Sequence, residues 1–435
     1  MEKLKELKKD IYRCIHCKAC RFAYSGEPSR KGIGEYKGIL YEGMLDACPS
    51  GIEYGWESRW NAGRIWIARS VLEGDLELTE EVRDEIMPCI TCGMCASQCE
   101  NKVPTVEVME ALRAAIYEAG VGLIPKHQLI RNLAEKNNNP YGGAAEERCK
   151  WIQDLGEEFK DYINNEKADV AYFVGCTAAY RKQPIAISTI RVMKKLGVNF
   201  TILTDEVCCG SPFFRTGQRD MALKLAKHNL DVFNKYKTVI FSCAGCYRTM
   251  SIDYKNEFGE DKVKYNTIHA VQWITEQLKA GKIKLKDKAE FKDLSVTYHD
   301  PCHLGRHIGL EIQKDLIKKS KNLFLDSRKI DQEIEKWFQI PRDLISYIPG
   351  IKFREMYRNR MDSFCCGAGG GVRAGFSDFS LKTSALRLDE AEAVGAKAIL
   401  TSCPFCVTNL RDAAEKFGYD IKVYEILELV NEMFQ

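Results

Sequence analysis

The chain has 435 residues, of which 45% are hydrophobic and 29% are charged, the composition of an ordinary globular protein with two or three domains. Its formal net charge of +3 is small for this length and argues against a nucleic-acid-binding protein, which would need a strongly basic face. No run of residues approaches the roughly 18 apolar residues of a membrane-spanning helix, so we expect no transmembrane segment.

The 19 cysteines are too sparse for a small disulfide-stabilised scaffold. The first six residues are mostly charged and lack the apolar stretch of a secretory signal. In a reducing compartment, cysteines in this number favour metal binding or redox chemistry over disulfides. We therefore expect a cytoplasmic protein, and attachment to the cytoplasmic face of a membrane through a partner is compatible with that location.

Residues 1–163 are predicted to be mainly helical, because apolar residues recur at intervals of three and four in segments such as 60–72, 106–118 and 124–135. From about residue 168, short apolar strands alternate with helices. We predict strands at 170–174, 199–203 and 238–242, with helices at 184–196, 220–233 and 244–254. A second series has strands at 295–298 and 398–401, with helices at 384–394 and from residue 404.

This alternation predicts parallel α/β units, and the two series indicate an internal repeat of roughly 130 residues. The predicted fold class is therefore α/β, with a helical domain at 1–163 followed by two repeated α/β domains at 164–290 and 291–435. Residues near 313–339 are lysine-rich and have no counterpart in the first repeat, so we interpret them as an insertion. The insertion is either a solvated surface helix or an arm that docks a partner.

Two groups of cysteines lie in the helical part. The first is Cys14-x2-Cys17-x2-Cys20 with Cys48 further along, and the second is Cys89-x2-Cys92-x2-Cys95-x3-Cys99. Three thiolates on a tight loop, with a fourth from elsewhere, form the ligand pattern of ferredoxin-type iron–sulfur clusters. A zinc site would pair C-x2-C groups and would leave the third cysteine of each motif unexplained.

In two-cluster ferredoxins the fourth cysteine of each motif serves the other cluster. The pattern therefore predicts two [4Fe–4S] cubane clusters, one held by Cys14, Cys17, Cys20 and Cys99 and the other held by Cys89, Cys92, Cys95 and Cys48. Cys149 lies outside every group and is interpreted as a buried small hydrophobic residue.

Each α/β repeat carries five cysteines in one order: a single cysteine, an adjacent pair followed by glycine, and then C-x2-C. They are Cys176, Cys208, Cys209, Cys243 and Cys246 in the first repeat, and Cys302, Cys365, Cys366, Cys403 and Cys406 in the second. Most of them follow a predicted strand, where open α/β sheets gather ligands. Adjacent cysteines suit a cubane poorly, because neighbouring side chains cannot both reach its corners without distortion. Five thiolates in a set therefore predict a more open cluster.

These repeats resemble the cysteine-rich CCG domains of heterodisulfide reductases. The resemblance rests on the segments Tyr172-Phe173-Val174-Gly175-Cys176, His299-Asp300-Pro301-Cys302-His303 and Cys365-Cys366-Gly367-Ala368-Gly369-Gly370-Gly371. A helical ferredoxin-type domain ahead of two CCG domains resembles the D-type subunit family of the membrane-linked heterodisulfide reductases of methanogenic archaea. The resemblance covers nearly the whole chain and implies that each set of five cysteines binds a noncubane [4Fe–4S] cluster. Both sets are complete, which favours a chain that carries out disulfide chemistry itself.

The reaction that the resemblance implies is the two-electron reduction of coenzyme M–coenzyme B heterodisulfide, or of a similar disulfide, to two thiols. A disulfide lying between the paired noncubane clusters would be split so that each sulfur binds one cluster iron, for which thiolates are suitable soft ligands. His303, beside Cys302, is the candidate general acid, and a packed or hydrogen-bonding histidine is the alternative. Arg215, Arg306 and Arg373 are candidates for binding anionic groups of the substrate, and surface salt bridges are the alternative.

The same architecture occurs in electron-transfer subunits of glycolate- and lactate-oxidising systems, where the chain links a flavoprotein to a quinone or another carrier. The electron donor is accordingly expected to be either a b-type cytochrome membrane subunit or a flavoprotein. Complete ligand sets in both repeats favour disulfide reduction over electron transfer alone.

Overall fold

The computed structural model describes residues 1–24, 44–320 and 327–434. The N-terminal part is helical, as its periodicity predicts. Its helices are α1 (Glu2–Glu6), α2 (Lys8–Tyr12), α3 (Pro49–Tyr54), α4 (Asn61–Glu73), α5 (Glu80–Ile86), α6 (Met94–Ser97), α7 (Thr105–Glu118), α8 (Pro125–Asn137) and α9 (Lys150–Gln153). A short antiparallel pair of strands, β1 (Phe22–Tyr24) and β2 (Met44–Asp46), lies between α2 and α3.

The core of this helical part is built around α7. Leu112 and Ile116 lie one helical turn apart on the same face of α7 and are fully buried, together with Ile65 of α4 and Ile86 of α5. Cysteines at the ends of the neighbouring loops pack against this core. The loops that carry the cysteine motifs are therefore fixed on rigid helices.

The first α/β repeat contains one parallel sheet, with its helices connecting successive strands. Its strands are β3 (Val170–Phe173), β4 (Phe200–Ile202), β5 (Thr238–Phe241) and β6 (Asn266–His269), in the order β4-β3-β5-β6. Its helices are α10 (Cys176–Tyr180), α11 (Gln183–Lys195), α12 (Ser211–Arg215), α13 (Arg219–Phe233), α14 (Ala244–Arg248), α15 (Tyr254–Phe258) and α16 (Ala270–Lys279).

The second repeat has the same topology. Its strands are β7 (Leu294–Tyr298), β8 (Ile351–Phe353), β9 (Ala398–Thr401) and β10 (Lys422–Glu425), in the order β8-β7-β9-β10 and again all parallel. Its helices are α17 (Arg306–Lys319), α18 (Ser327–Ser346), α19 (Val372–Gly375), α20 (Ser377–Ala393), α21 (Pro404–Phe417) and α22 (Ile426–Met433).

The two repeats share individual hydrogen bonds, one of which joins the two central strands of each sheet. The hydroxyls of Tyr172 and Ser242 are 2.7 Å apart in the first repeat, and those of Tyr298 and Ser402 are 3.0 Å apart in the second. Tyr172 and Tyr298 each precede the first cysteine of their set by four residues, and each serine immediately precedes a cysteine. These pairs establish which residues of the two repeats correspond.

The α/β class and the two repeats are confirmed. All five predicted strands are found within one residue of their predicted ends. In the two α/β repeats, the strands that the sequence did not predict are β6, β8 and β10, which lie at sheet edges. The short pair β1 and β2 in the helical part was not predicted either. None of the helices in the described ranges is long and apolar enough to cross a lipid bilayer.

Most of the predicted insertion near 313–339 lies in α17 and α18, and residues 321–326 are outside the described residues. Helix α18 buries one apolar face, formed by Ile330, Ile334 and Phe338, and exposes the opposite, charged face. The indole nitrogen of Trp337 donates a hydrogen bond to the carbonyl of Leu304 at 2.6 Å. The helix is therefore attached to the second repeat along its length.

Buried Arg113, on α7, joins the helical part to both α/β repeats. Its guanidinium donates to the carbonyl oxygens of Ile86, Met87, Cys89, Arg215 and Gly370, at distances from 2.6 to 3.2 Å. Burial lowers the pKa of Arg113 to about 10, so the side chain is still cationic at neutral pH.

We expect Arg113→Met to destabilise the folded chain by about 3–5 kcal/mol, because five buried carbonyls lose a charged donor. Arg113→Lys should recover only part of this loss, since an ammonium cannot reproduce the planar fork. Thermal unfolding under anaerobic conditions measures the effect. Arg191, exposed on α11, provides the matched control. If Arg113→Met unfolded at the same temperature as Arg191→Met, Arg113 would not join the domains as described.

His127, on α8, makes a second contact between the helical part and the second repeat. Its Nε2 lies 2.9 Å from the carbonyl oxygen of Gly371 and must donate the hydrogen bond, since a carbonyl only accepts. Burial lowers the pKa of His127 to about 4, so the folded chain keeps this imidazole neutral.

The unfolded chain binds a proton at His127 below pH about 6.5, whereas the folded chain does so only below about 4. Stability should therefore fall as the pH is lowered through this range, with about 1 kcal/mol lost between pH 7.5 and 5.5. His127→Gln keeps an amide donor but has no titrating group, so it should lose less stability over the same interval. Unfolding midpoints of both proteins at the two pH values test this, and equal losses would contradict it.

Candidate cluster-binding site

The eight motif cysteines of the helical part line two cavities. One cavity is lined by Cys14, Cys17, Cys20 and Cys99. The other is lined by Cys48, Cys89, Cys92 and Cys95. Three cysteines of one motif thus share a cavity with the fourth cysteine of the other motif. The two cavities adjoin, because Asn61 lines both.

Both C-x2-C-x2-C loops have a left-handed backbone conformation at the same two positions. The residue two after the first cysteine is His16 in one loop (φ 56°) and Thr91 in the other (φ 53°). The residue after the second cysteine is Lys18 (φ 67°) or Gly93 (φ 75°). A left-handed backbone is costly for non-glycine residues and persists only where the surroundings impose it. Here it turns the three thiols of each loop towards one cavity.

Hydrogen-bond donors lie beside several of these sulfurs. The amide of Val103 donates to Cys99 Sγ at 3.4 Å, and the hydroxyl of Thr105 lies 2.9 Å from Cys95 Sγ. Burial raises the pKa of the Cys20 thiol to about 12, so an empty site holds protonated thiols at neutral pH. Metal binding at such a site must release these protons.

The ten cysteines of the α/β repeats lie at the carboxyl ends of the parallel strands. Cys176 and Cys302 follow the first strand of each sheet, and the C-x2-C groups open α14 and α21. Of the ten, all except Cys302 are buried. The adjacent pairs make the same hydrogen bond in both repeats. The amide after the pair donates back to its first sulfur, from Gly210 to Cys208 at 3.5 Å and from Gly367 to Cys365 at 3.3 Å.

Each set of five thiols converges on one place. In the first set, Cys176 lies against Cys208, and Cys209 lies against Cys246. A Cβ at Gly175 would be only 3.1 Å from Cys246 Sγ, so a glycine is needed for the backbone to approach this closely.

The second set converges in the same way. The sulfurs of Cys366 and Cys406 are 3.3 Å apart, and Cys365 lies against Cys302. The soft thiol donors, their burial and their convergence fit iron–sulfur clusters.

Two contacts connect the cysteine sets with one another. Cys243 of the first repeat lies against Cys403 of the second. Cys92 of the helical part lies against Cys365. The four sets therefore form a continuous line, which runs from the Cys14 cavity through the Cys48 cavity and the second repeat to the first repeat.

His303 lies where the two α/β sets meet. Its Nδ1 is 3.6 Å from the position that a Cβ at Gly245 would occupy, within the C-x2-C loop of the other repeat. Its ring meets that of His307 edge-on at 4.6 Å. Burial lowers the pKa of His303 to about 4, and its Nε2 is buried without a hydrogen-bond partner among the described residues.

A cavity of about 380 Å³ approaches these histidines from the junction of α7, α13 and α17, and His307 forms part of its wall. Charged side chains around it are largely paired with one another. The pairs include Arg248 with Asp253 at 2.6 Å, Arg219 with Glu257 at 2.5 Å and Lys314 with Glu311 at 3.6 Å.

The three arginines that the sequence singled out as candidate anion binders all have protein partners. Arg215 is paired with Glu110 and Asp253, and Arg373 is paired with Asp412. The guanidinium of Arg306 donates to backbone carbonyls, those of Cys92, Met361 and Ser363. Surface salt bridges, the alternative interpretation, describe only Arg373, whose side chain is partly exposed, because Arg215 and Arg306 are buried.

Two side chains beside the cysteines were not singled out from the sequence. Arg148 donates to Cys176 Sγ at 3.4 Å, and it pairs with Glu206 at 2.6 Å. A nitrogen of His299 lies within 4.8 Å of the sulfurs of Cys366 and Cys406. The HDPCH segment contained a signal for His299, whereas nothing in the sequence around Arg148 marks it.

Comparison with known proteins agrees with this arrangement. The family model described as 4Fe-4S dicluster domain matches residues 9–103, and the cysteine-rich domain (CCG) matches residues 170–251 and 296–411. The chain is 37% identical to the D-type subunit of the dihydromethanophenazine:CoB–CoM heterodisulfide reductase of Methanosarcina mazei, over 81% of this chain and 79% of that protein.

Two more distant relatives carry other names. The chain is 28% identical to the B-type subunit of the fumarate reductase (CoM/CoB) of Methanothermobacter marburgensis, over 97% of this chain and 72% of that protein. It is 25% identical to an EtfAB:quinone oxidoreductase of Syntrophomonas wolfei, over 80% of this chain and 46% of that protein.

Fold, cysteine sets and family models together define an iron–sulfur oxidoreductase with a ferredoxin-type domain and two CCG domains. Within this class the chain belongs to the D-type subunit family of the heterodisulfide reductases.

Proposed function

We propose that the chain is the disulfide-reducing subunit of a reductase complex and converts coenzyme M–coenzyme B heterodisulfide, or a similar disulfide, to two thiols. The observation that carries the proposal is the meeting of two complete five-thiol sets through Cys243 and Cys403. A substrate with two sulfurs suits a site at which two sets of five thiols meet. The similarity to the heterodisulfide reductase of Methanosarcina mazei supports the same substrate class.

The proposal assigns two cubane and two noncubane [4Fe–4S] clusters to the four sets. The cubane ligands are Cys14, Cys17, Cys20 and Cys99 for one cluster, and Cys48, Cys89, Cys92 and Cys95 for the other. The noncubane ligands are Cys176, Cys208, Cys209, Cys243 and Cys246 in the domain at 164–290, and Cys302, Cys365, Cys366, Cys403 and Cys406 in the domain at 291–435. When bound, the clusters supply electrons along the line of sets and iron atoms with affinity for the two substrate sulfurs.

The protein's own side chains provide the candidate proton donor and line the proposed approach for the substrate. His303 remains the candidate general acid, because it lies close to both sets and its Nε2 has no hydrogen-bond partner among the described residues. Since burial lowers the pKa of His303 to about 4, the imidazole is neutral at pH 7 and delivers a proton only as a relay, in which one ring nitrogen donates while the other takes up a proton. The cavity that ends at His307 is the proposed approach for the disulfide. The electron donor is proposed to be a separate protein of the complex, either a b-type cytochrome in the membrane or a flavoprotein, at the cytoplasmic face.

A second candidate function is electron transfer alone, within a flavoprotein-linked dehydrogenase system. Similarity to an EtfAB:quinone oxidoreductase favours it. The partners found for Arg215, Arg306 and Arg373 favour it as well, because none of these guanidinium groups is left to bind an anionic substrate.

The two functions are separated by anaerobic turnover with reduced viologen as the electron donor. Coenzyme M–coenzyme B heterodisulfide should reoxidise the viologen rapidly, and Cys302→Ala should lower the rate at least about a hundredfold by removing one thiolate of a noncubane set. Cys149→Ala, which removes a buried thiol outside every set, should keep the rate and the iron content. A fully iron-loaded wild-type chain that gave no reoxidation would favour the electron-transfer function instead.

His299 places an imidazole beside the second noncubane set. Arg387 Nε donates to His299 Nδ1 at 3.2 Å, so the remaining proton of a neutral imidazole lies on Nε2, which has no hydrogen-bond partner among the described residues. A ring nitrogen of His299 lies within 4.8 Å of the sulfurs of Cys366 and Cys406. Phe173 occupies the corresponding position of the first repeat, one residue after Tyr172. A phenyl ring has no such donor.

We expect His299→Phe to lower the reduction potential of the cluster in the second repeat, because the dipole of an N–H group near the sulfurs stabilises the reduced, more negative state. Redox titration followed by electron paramagnetic resonance measures the change, and iron content should stay that of the wild type. His228→Phe, on the exposed surface of α13, is the control. An unchanged potential in a fully loaded His299→Phe chain would show that His299 only packs there.

A further inference from the structure

Three exposed aromatic side chains and one exposed isoleucine lie near the cavity lined by Cys14, Cys17, Cys20 and Cys99. Trp56 is 75% exposed and Ile15 is 71% exposed, and the side chains of Tyr12 and Trp66 are about two-fifths exposed. Large apolar side chains exposed to this degree are uncommon on a protein surface unless they bind something. We refer to these four residues as the aromatic surface.

The four residues form one surface through their neighbours. The ring of Trp66 lies 5.0 Å from that of His16, and the carboxylate of Glu57, next to Trp56, contacts the same imidazole. The guanidinium of Arg69 stacks over the rings of both Trp66 and Tyr12, at 5.1 and 4.6 Å. Ile15 lies between Cys14 and Cys17 in the sequence, and Cys17 is the one exposed cysteine of the chain. The aromatic surface therefore lies beside the place where the line of cysteine sets reaches the solvent.

The charge of this end of the chain differs from that of the rest. Residues 1–24 contain seven lysines and arginines and three acidic residues, which gives a net charge of +4. The whole chain has a net charge of +3, so the other residues together have a net charge of −1. Lys8 and Lys9 are exposed, and the Lys8 ammonium lies 5.6 Å from the ring of Tyr12. A positive field at one end attracts and orients a partner whose surface is acidic.

We propose that the aromatic surface is the docking site for an acidic one-electron carrier protein of the ferredoxin class. This carrier delivers electrons at the outermost cysteine set and is a second donor, distinct from the cytochrome or flavoprotein subunit of the complex. This proposal rests on the cluster assignment made above. Aromatic side chains supply the apolar contact area of such an interface, and the lysines at its edge speed association. The position follows from the structure, because a donor protein must approach the set nearest the surface.

The test measures electron transfer into the chain directly, without the disulfide. Chemically reduced acidic [4Fe–4S] ferredoxin is mixed anaerobically with the oxidised, iron-loaded chain, and bleaching of the chain's visible absorbance is followed by stopped flow. We expect Trp56→Ser to raise the ferredoxin concentration needed for half-maximal rate about tenfold, by removing a large apolar contact. Phe417→Ser, at an exposed aromatic on α21, is the matched control and should behave as the wild type.

A separate variant tests the contribution of the lysines to docking. Lys8→Glu combined with Lys9→Glu should slow reduction by ferredoxin about tenfold at low ionic strength, and the difference from the wild type should shrink as salt is added. The same reversal at Lys397 and Lys422, exposed in the second repeat, should have little effect on the rate. Reduced viologen, a small donor that needs no docking surface, should reduce every variant at the wild-type rate.

Three results would overturn the proposal. The first is a wild-type chain that viologen reduces and ferredoxin does not, which would mean that the carrier is of another class. The second is a Trp56→Ser chain that ferredoxin reduces as well as it reduces Phe417→Ser. The third is a Trp56→Ser chain that viologen also fails to reduce at the wild-type rate, which would mean that Trp56 is needed to retain the cluster. None of these results depends on whether the chain reduces a disulfide, so the docking site and the proposed function fail separately.

Discussion

The buried guanidinium of Arg113 fixes the relation between the helical part and the two CCG domains. Burying a cation is expensive unless its hydrogen-bonding capacity is used, and Arg113 uses its own on five carbonyl oxygens from three parts of the chain. Three of these carbonyls belong to the end of α5 and the start of the second cysteine motif, at Ile86, Met87 and Cys89. Arg306 holds the same motif from the other side, through the carbonyl of Cys92 at 2.8 Å. Two arginines from different domains therefore fix one cysteine loop.

This loop lies in the middle of the line of cysteine sets, so its position determines whether the line is continuous. Cys92 reaches Cys365 across a domain boundary, and Cys243 reaches Cys403 across another. The rate of electron transfer between two sites falls steeply with distance. Contacts between cysteine sets of different domains would be lost if the domains moved freely. Buried cations, rather than exposed ion pairs, hold the backbone carbonyls in this region. This meets the requirement, because exposed ion pairs contribute little to stability.

The sequence was sufficient for the parts of the structure that depend on local pattern. Central strands such as β3 and β9 read as apolar runs because both faces are covered, whereas edge strands such as β6 and β10 include exposed polar residues and were not predicted. The spacing of the cysteines indicated their grouping within each motif. It gave no sign of Arg113, because that side chain binds backbone carbonyls, which every residue has. Arg215 and Arg306 were candidates for binding an anionic substrate because each follows a cysteine motif closely. The fold instead brings them partners that are distant in sequence.

The two CCG domains keep their framework and differ beside the sulfurs. The tyrosine–serine hydrogen bond and the glycine amide that donates to a cysteine sulfur occur in both repeats. The donors from side chains do not: Arg148 lies beside Cys176 in one repeat, and His299 lies beside Cys366 in the other. A guanidinium brings a full positive charge, which Glu206 partly offsets, whereas the imidazole of His299 brings a neutral dipole. Duplication thus preserved the geometry that gathers five thiols, while the electrostatic surroundings of the two sets diverged. A disulfide placed between such unequal sets meets two different environments, and an unsymmetrical disulfide has two different halves to place in them.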